Sequence, residues 1–100
     1  MLIRIVRMTF RPDKVSQFLS IFESSKNKIR SFPGCMDLEL HRDHNAKNIF
    51  ITYSIWENEK ALNSYRNSEL FRSVWPETKI LFLEKPIAFS NVIVEKISIA

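Results

Sequence analysis

The apolar residues of this chain change their spacing several times, and each change marks the border of an element. Leu2 to Phe10, LIRIVRMTF, is β-branched and apolar with no breaker before Arg11-Pro12, and it reads as a strand. Pro12 and Asp13 suit a helix start, because proline's φ is preset and an acid sits well at a helix's positive end. Val15, Phe18, Leu19, Phe22 and Ile29 then recur at helical spacing and predict a helix over about 13–31. Phe32-Pro33-Gly34 ends it, with the only glycine of the chain at the turn.

From Cys35 the period becomes two. Met36, Leu38 and Leu40 point one way; Asp37, Glu39, His41 and Asp43 point the other. A polar turn, Asp43 to Lys47, leads into Asn48 to Trp56, where Ile49, Ile51, Tyr53 and Ile55 alternate with Phe50, Thr52, Ser54 and Trp56. Two alternating runs across a polar turn predict an antiparallel hairpin. Asn58 is placed as the N-cap of a second helix with Ala61, Leu62 and Tyr65 inward. Ser68 caps a further helical piece carrying Leu70, Phe71, Val74 and Trp75, which Pro76 is expected to halt. After a turn through Lys79–Leu83 and Pro86, the Val- and Ile-rich run from Ile87 to about Ile97 is the last strand.

Strand, helix, strand, strand, helix, strand is the order of the ferredoxin-like, split βαβ fold of the α+β class. It predicts a four-stranded antiparallel sheet with its helices on one face, built by residues 1–100 as one domain. Setting Ile49, Ile51, Tyr53 and Ile55 under the helices with Met36, Leu38 and Leu40 leaves Phe50, Thr52, Ser54, Trp56 and the Glu39/His41 row on the other face. The last strand is apolar on both sides. Whichever face is covered, large apolar groups remain on the other, at a cost of about 25 cal/mol per Å² left in water. A second copy laid sheet to sheet is the expected cover, so a homodimer enclosing an aromatic pocket walled by Trp56 is predicted.

Composition narrows the partners. The chain has 100 residues, 45% of them hydrophobic and 26% charged, ordinary for a water-soluble domain. No apolar run approaches a membrane span, and the arginines in the first strand interrupt what a signal peptide would keep unbroken. The lone Cys35 has no disulfide partner, which fits a reducing cytoplasm. A net charge of +4 is modest, and Lys14, Lys26, Lys28 and Arg30 read as the solvated side of the first helix. With one glycine, phosphate-cradling loops are not expected. NIFITYSIW also lacks the glycine-and-aromatic motif of RNA-recognition sheets, so no nucleic acid is expected.

The segments RIVRMTFRPDKVSQFLSIFE, FPGC, YSIWENEKALNSYRNSELF and KPIAFS, in this order and spacing, resemble the antibiotic biosynthesis monooxygenase (ABM) domain over roughly residues 2–95. The resemblance implies a dimeric α/β barrel. It also implies one of several activities: oxidation of quinols or polycyclic phenols by O2 without metal or flavin, haem degradation, or none yet assigned. In the haem-degrading branch a histidine ligand follows the strand-end tryptophan, where this chain has Leu70, and an asparagine stands in the first strand, where it has Val6-Arg7-Met8. In the polyketide-oxidising branch an asparagine precedes that tryptophan, near Thr52 here. Haem chemistry is therefore not expected, and Trp56 is the residue that carries over, as a substrate wall.

The candidate site residues are few. His41, beside Glu39 on one strand face, is the candidate base, because imidazole titrates near the working range and a carboxylate two residues away can orient it. Tyr65 and Arg66 are candidates to present a phenol and a guanidinium to a substrate oxygen, with Trp56 as the wall. No metal site is expected, since His41 and His44 are not spaced to converge. Two readings follow: a cofactor-independent monooxygenase acting on a small quinol- or phenol-like substrate, and a non-catalytic dimeric protein that binds such a ligand.

Overall fold

A computed structural model describes residues 1–99. The chain runs β1 (Leu2–Thr9), α1 (Val15–Arg30), β2 (Cys35–Arg42), β3 (Ile49–Trp56), α2 (Glu59–Arg66), α3 (Glu69–Lys79) and β4 (Ile87–Asn91). The strands form one antiparallel sheet in the order β2-β3-β1-β4, with the helices over one face. This is the ferredoxin-like arrangement expected from the sequence.

Local chemistry accounts for the borders. A single 3-10 turn, Pro12–Lys14, precedes α1, and Arg30 at its end donates from Nη1 to the Cys35 carbonyl at 2.9 Å, tying the helix to β2. Asn58 caps α2 by accepting from the Ala61 N–H at 2.8 Å, and Ser68 caps α3 by accepting from Phe71 at 3.2 Å. Pro76 does not stop α3, which continues to Lys79. Proline removes one intrahelical bond. The last turn persists because buried Thr78 donates to the Val74 carbonyl at 2.9 Å and Leu81 beyond it is 2% exposed. The segment after α3 is pinned to the end of β1 by Arg11 N–H to Leu81 O (3.0 Å) and Leu83 N–H to Thr9 O (2.8 Å).

The faces of β3 are the reverse of the sequence expectation. Pairing sets Leu40 opposite Thr52 and Leu38 opposite Ser54, so these leucines share a face with Phe50 and Trp56, not with the isoleucines. In an antiparallel ladder directly paired residues lie on the same side, and a one-residue change of register exchanges the faces. Phe50 and Trp56, 4% and 1% exposed, lie beneath the helices. The outer face carries Ile3, Ile5, Ile51, Tyr53, Ile55 and Phe89, together with Arg7, Glu39 and His41. The apolar character of the uncovered face stands; its membership changes.

β4 is also shorter than expected. Asn91 pairs with Ile3 near the start of β1, so the chain beyond it has little of β1 left to pair with. Val92, Ile93, Val94, Ile97 and Ile99 are exposed and outside any strand.

The core is in two parts. One holds Met8, Phe10, Phe18, Phe50 and Leu81, with Phe10 and Phe18 stacked at 4.1 Å between ring centroids. The other holds Cys35, Trp56 and Leu62, with Phe32 and Tyr65 packed on them.

Gly34 joins the second part to the hairpin. Its φ of +88° lies in the left-handed region, and a Cβ there would collide with the Ala61 Cβ of α2. Its carbonyl accepts from the Glu57 N–H at 2.8 Å. Gly34→Ala is expected to destabilise the fold by about 1–3 kcal/mol, from backbone strain and displacement of α2 together. Urea denaturation measures this; a midpoint equal to that of the parent protein would contradict the packing described.

Candidate functional site

Between the two parts of the core lies a cavity of about 570 Å³, bounded by the inner face of the sheet and by all three helices. Its floor is two adjacent rows across the sheet: Leu38, Ser54 and Arg4 in one, Thr52, Val6 and Ala88 in the next. These side chains, Arg4 aside, are small or medium-sized. At either end stand larger ones, Phe50 and Met8 on one side, Trp56 on the other. Along β3 the inward residues therefore run Phe50, Thr52, Ser54, Trp56, large–small–small–large, and the two middle positions leave the space that the helices roof over.

The roof is largely aromatic and aliphatic. α1 contributes Phe18, Ile21, Phe22, Ser25 and Ile29; α3 contributes Phe71, Val74, Trp75 and Thr78. Trp56 and Tyr65 stack with centroids 5.0 Å apart and planes 24° apart, Tyr65 meets Phe71 edge-on at 5.3 Å, and Phe71 stacks on Trp75 at 5.7 Å. The chain of rings thus continues around one wall. Trp56 is 1% exposed, so it backs that wall while Tyr65 stands in front of it. The Trp56 indole N–H donates to the Ser54 hydroxyl at 2.9 Å, which satisfies the one polar atom of the ring inside the core.

Polar groups gather where α2 ends. Asn63, Arg66 and Asn67 are exposed residues that also line the cavity, and Arg66 sits in the last turn of α2, where the helix dipole favours a cation. Arg4 reaches in from β1, half-buried, and donates from Nη1 to the Ser90 hydroxyl at 3.1 Å. Burial, and then the neighbouring Arg66 charge, hold the Arg4 guanidinium below its ordinary pKa. Burial, with a smaller contribution from Cys35, pushes the Tyr65 phenol up to about 12. Its hydroxyl makes no hydrogen bond among the described residues, so at neutral pH Tyr65 offers an unspent donor.

The structure brings three of the four candidate residues together. Trp56, Tyr65 and Arg66 line one cavity. His41 is not among them: it lies on the outer face of the sheet, Nε2 2.7 Å from Glu39 Oε1 and stacked on Tyr53 at 6.0 Å. The carboxylate neighbour expected for it is there, but the sheet stands between this pair and the cavity. The cavity lies on the helix side of the sheet, and all the lining named here comes from one chain. Arg4, Thr52, Ser54, Phe71 and Trp75 complete the lining. The signal for Arg4 was its parity with Val6 and Met8, which puts it inward while Arg7 points out. Among the described residues no group of three or more His, Cys, Asp or Glu could hold a metal ion, and no helix is long and apolar enough to cross a membrane.

Comparison with known proteins agrees with this architecture. The antibiotic biosynthesis monooxygenase family profile matches residues 1–75. A solved structure described as an antibiotic biosynthesis monooxygenase superposes with a TM-score of 0.89 at 20% identity, covering 95% of this chain and all of that one. A conserved protein from Methanosarcina mazei Go1 gives 0.85 at 20% identity over 91% of each chain. Rv0793 from Mycobacterium tuberculosis gives 0.87 at 16% identity, over 97% of this chain and 98% of that one. At these identities the structures establish the fold. In sequence, protein sll1783 of Synechocystis sp. is 28% identical over 61 residues, which is 61% of this chain and 42% of that protein, so the match spans about two fifths of that relative's length. With its first three quarters matched by the family profile and its whole architecture shared with solved members, the chain belongs to the antibiotic biosynthesis monooxygenase family.

Proposed function

We propose that this protein is a small cytoplasmic homodimer, one domain per chain, that binds a flat quinol- or phenol-like molecule in the helix–sheet cavity and oxidises it with O2 without a metal or organic cofactor. The observation that carries this reading is the cavity: about 570 Å³, walled by Tyr65, Phe71 and Trp75 and backed by Trp56, in a chain of this family. That volume and lining are typical of small-molecule sites.

The chemistry requires little of the protein. A deprotonated, electron-rich phenol transfers one electron to O2, the radical pair recombines to form a C–O–O bond, and loss of water leaves the carbonyl. For a simple hydroquinone the balance is QH2 + O2 → hydroxyquinone + H2O. The substrate supplies the electrons, one oxygen atom enters the product and the other leaves as water. The cavity would hold the ring flat against Tyr65 and keep water from the radical pair, the Tyr65 hydroxyl would donate to a substrate oxygen, and the Arg66 guanidinium would stabilise the oxyanion. One observation favours the second reading, a non-catalytic binder of the same ligands: no Asp, Glu, His or Lys lines the cavity, so it contains no conventional base.

The dimer is supported by the outer face. Ile87 and Phe89 of β4 are 53% and 45% exposed, the isoleucines of β1 and β3 lie half-buried beside them, and the apolar run after Asn91 has no partner strand in its own chain. A second copy, sheet to sheet, covers all of these at once.

Two measurements test the reading. In an oxygen electrode, wild-type protein should consume O2 faster than the non-enzymatic control with at least one member of a hydroquinone and naphthohydroquinone panel. Trp56→Phe, which keeps an aromatic ring at that position but gives up the indole–Ser54 hydrogen bond, should lower kcat/KM about 10-fold in protein that circular dichroism shows to be folded, as expected when a substrate wall shifts by a fraction of an ångström. Traces no steeper than the control across the panel, together with a ligand that raises Tm and is recovered unchanged, would select the binding protein instead. For the assembly, sedimentation velocity at micromolar concentration should give a dimer, and Ile51→Arg on the outer face should give a folded monomer. A wild-type monomer would overturn the sheet-to-sheet pairing.

A further inference from the structure

The lining of the cavity has an unbalanced charge. Arg4 enters from β1 and Arg66 from the end of α2; among the lining residues there is no Asp or Glu, and among the described residues neither guanidinium forms an ion pair. Both guanidiniums line the same cavity, the first of them half-buried, and burial, then the Arg66 charge, hold Arg4 below its ordinary pKa. A half-buried arginine with no carboxylate beside it keeps donors open to an incoming anion. Here the only described hydrogen-bond partner of Arg4 is the neutral Ser90 hydroxyl. The remaining polar groups at that end, the Asn63 and Asn67 amides and the Tyr65 phenol, bring no negative charge, and burial keeps that phenol protonated far above neutral pH.

We propose that Arg4 and Arg66 form the recognition site for a flat aromatic oxyanion, whose charged oxygen sits between the two guanidiniums while its ring lies along Tyr65, Phe71 and Trp75. This rests on the small-aromatic reading above and names the class of molecule: an acidic arene, either an aryl carboxylate or a phenol bound as its phenolate. The guanidinium fork suits an oxyanion because it is always charged, planar and rich in donors. The same geometry explains how a cavity without a base can serve an acidic substrate. The site takes the anion and leaves its proton in bulk water, so electrostatic attraction does what a proton acceptor would otherwise do.

Trp56 and Trp75 both line the cavity, so quenching of tryptophan fluorescence reads occupancy directly. The probes are 2-naphthoate, its neutral analogue 2-naphthalenemethanol, and 2-naphthol, added to the full-length protein at pH 7.5. Naphthoate is expected to bind about 10- to 100-fold tighter than the neutral alcohol, the range of one or two charge-assisted hydrogen bonds. Arg4→Met and Arg66→Met should each remove most of that preference while binding of the alcohol stays unchanged, which also shows that the variants are folded. 2-Naphthol separates the two sources of the charge: a bound spectrum of the naphtholate form assigns the phenolate, and a neutral spectrum beside naphthoate selectivity assigns the carboxylate. Equal affinity for naphthoate and the alcohol, a preference that survives both substitutions, or no naphthoate binding overturns the proposal. The outcome is separable from the oxygenase reading. O2 consumption by the wild-type protein without any preference for naphthoate over the alcohol would keep the oxygenase and remove the oxyanion site, and selective naphthoate binding without O2 consumption would do the reverse.

Discussion

The inward face of β3 runs Phe50, Thr52, Ser54, Trp56, and the rest of the molecule arranges itself around that order of sizes. The two aromatics anchor separate hydrophobic clusters, one with Phe10 and Phe18 beneath α1, the other with Leu62 and Cys35 beneath α2. The threonine and serine between them cannot fill the distance between sheet and helices. A well-packed core leaves few voids larger than a water molecule. A gap of about 570 Å³, open to solvent at the end of α2, leaves the side chains that face it without packing partners on that side, so the two clusters carry most of the apolar burial.

The chemistry of the gap follows from which elements border it. Where it meets the clusters it is aromatic, and the ring sequence Trp56, Tyr65, Phe71, Trp75 supplies a wall of two stacked pairs that meet edge-on, with little side-chain entropy to lose on binding. Where it meets solvent, at the end of α2, it is cationic and rich in amides. The cavity thus has an apolar inner end and a charged outer one, the contrast on which the proposed ligand class rests. The outer face of the sheet is chemically distinct: isoleucines, Tyr53 and the Glu39–His41 pair.

Much of this was legible in the sequence, and what was not has physical causes. Every helix and strand was visible, because the period changes are clean and Asn58, Ser68 and Gly34 stand where caps and a turn require them. The family likeness was carried by segments spread along the whole chain. The faces of β3 were not legible, since both are apolar and the choice depends on the register of the β2–β3 hairpin, where a shift of one residue reverses the answer. That reversal places Thr52, Ser54 and Trp56 beneath the helices, where the cavity lies. Pro76 was read as a stop because a local rule cannot see the Thr78 hydrogen bond and the burial of Leu81 that sustain the helix past it. The strand beginning at Ile87 was read too long because propensity says nothing about where β1 runs out of partners. Of the residues that line the cavity, Trp56 was singled out through the strand end and the family likeness, and Tyr65 and Arg66 through their functional groups on the following helix, whereas Arg4 became visible only once β1 was laid against β3 and β4.

The claim beneath all of this is that the space over Thr52 and Ser54 is real, empty of side chains and reserved for a ligand. Thr52→Leu tests it most directly, because it adds apolar volume to the middle of the floor, at a position whose cross-strand partners are Val6 and Leu40 rather than either arginine. Its melting temperature and its 2-naphthol binding would be read in the same thermal-shift experiment. The account predicts a Tm equal to or above that of the parent protein, since filling an existing gap gains contacts at no cost in strain, together with loss of the ligand-induced shift. A Tm several degrees lower with ligand binding intact would contradict it, showing that the floor is already closely packed and that the molecule binds its ligand elsewhere.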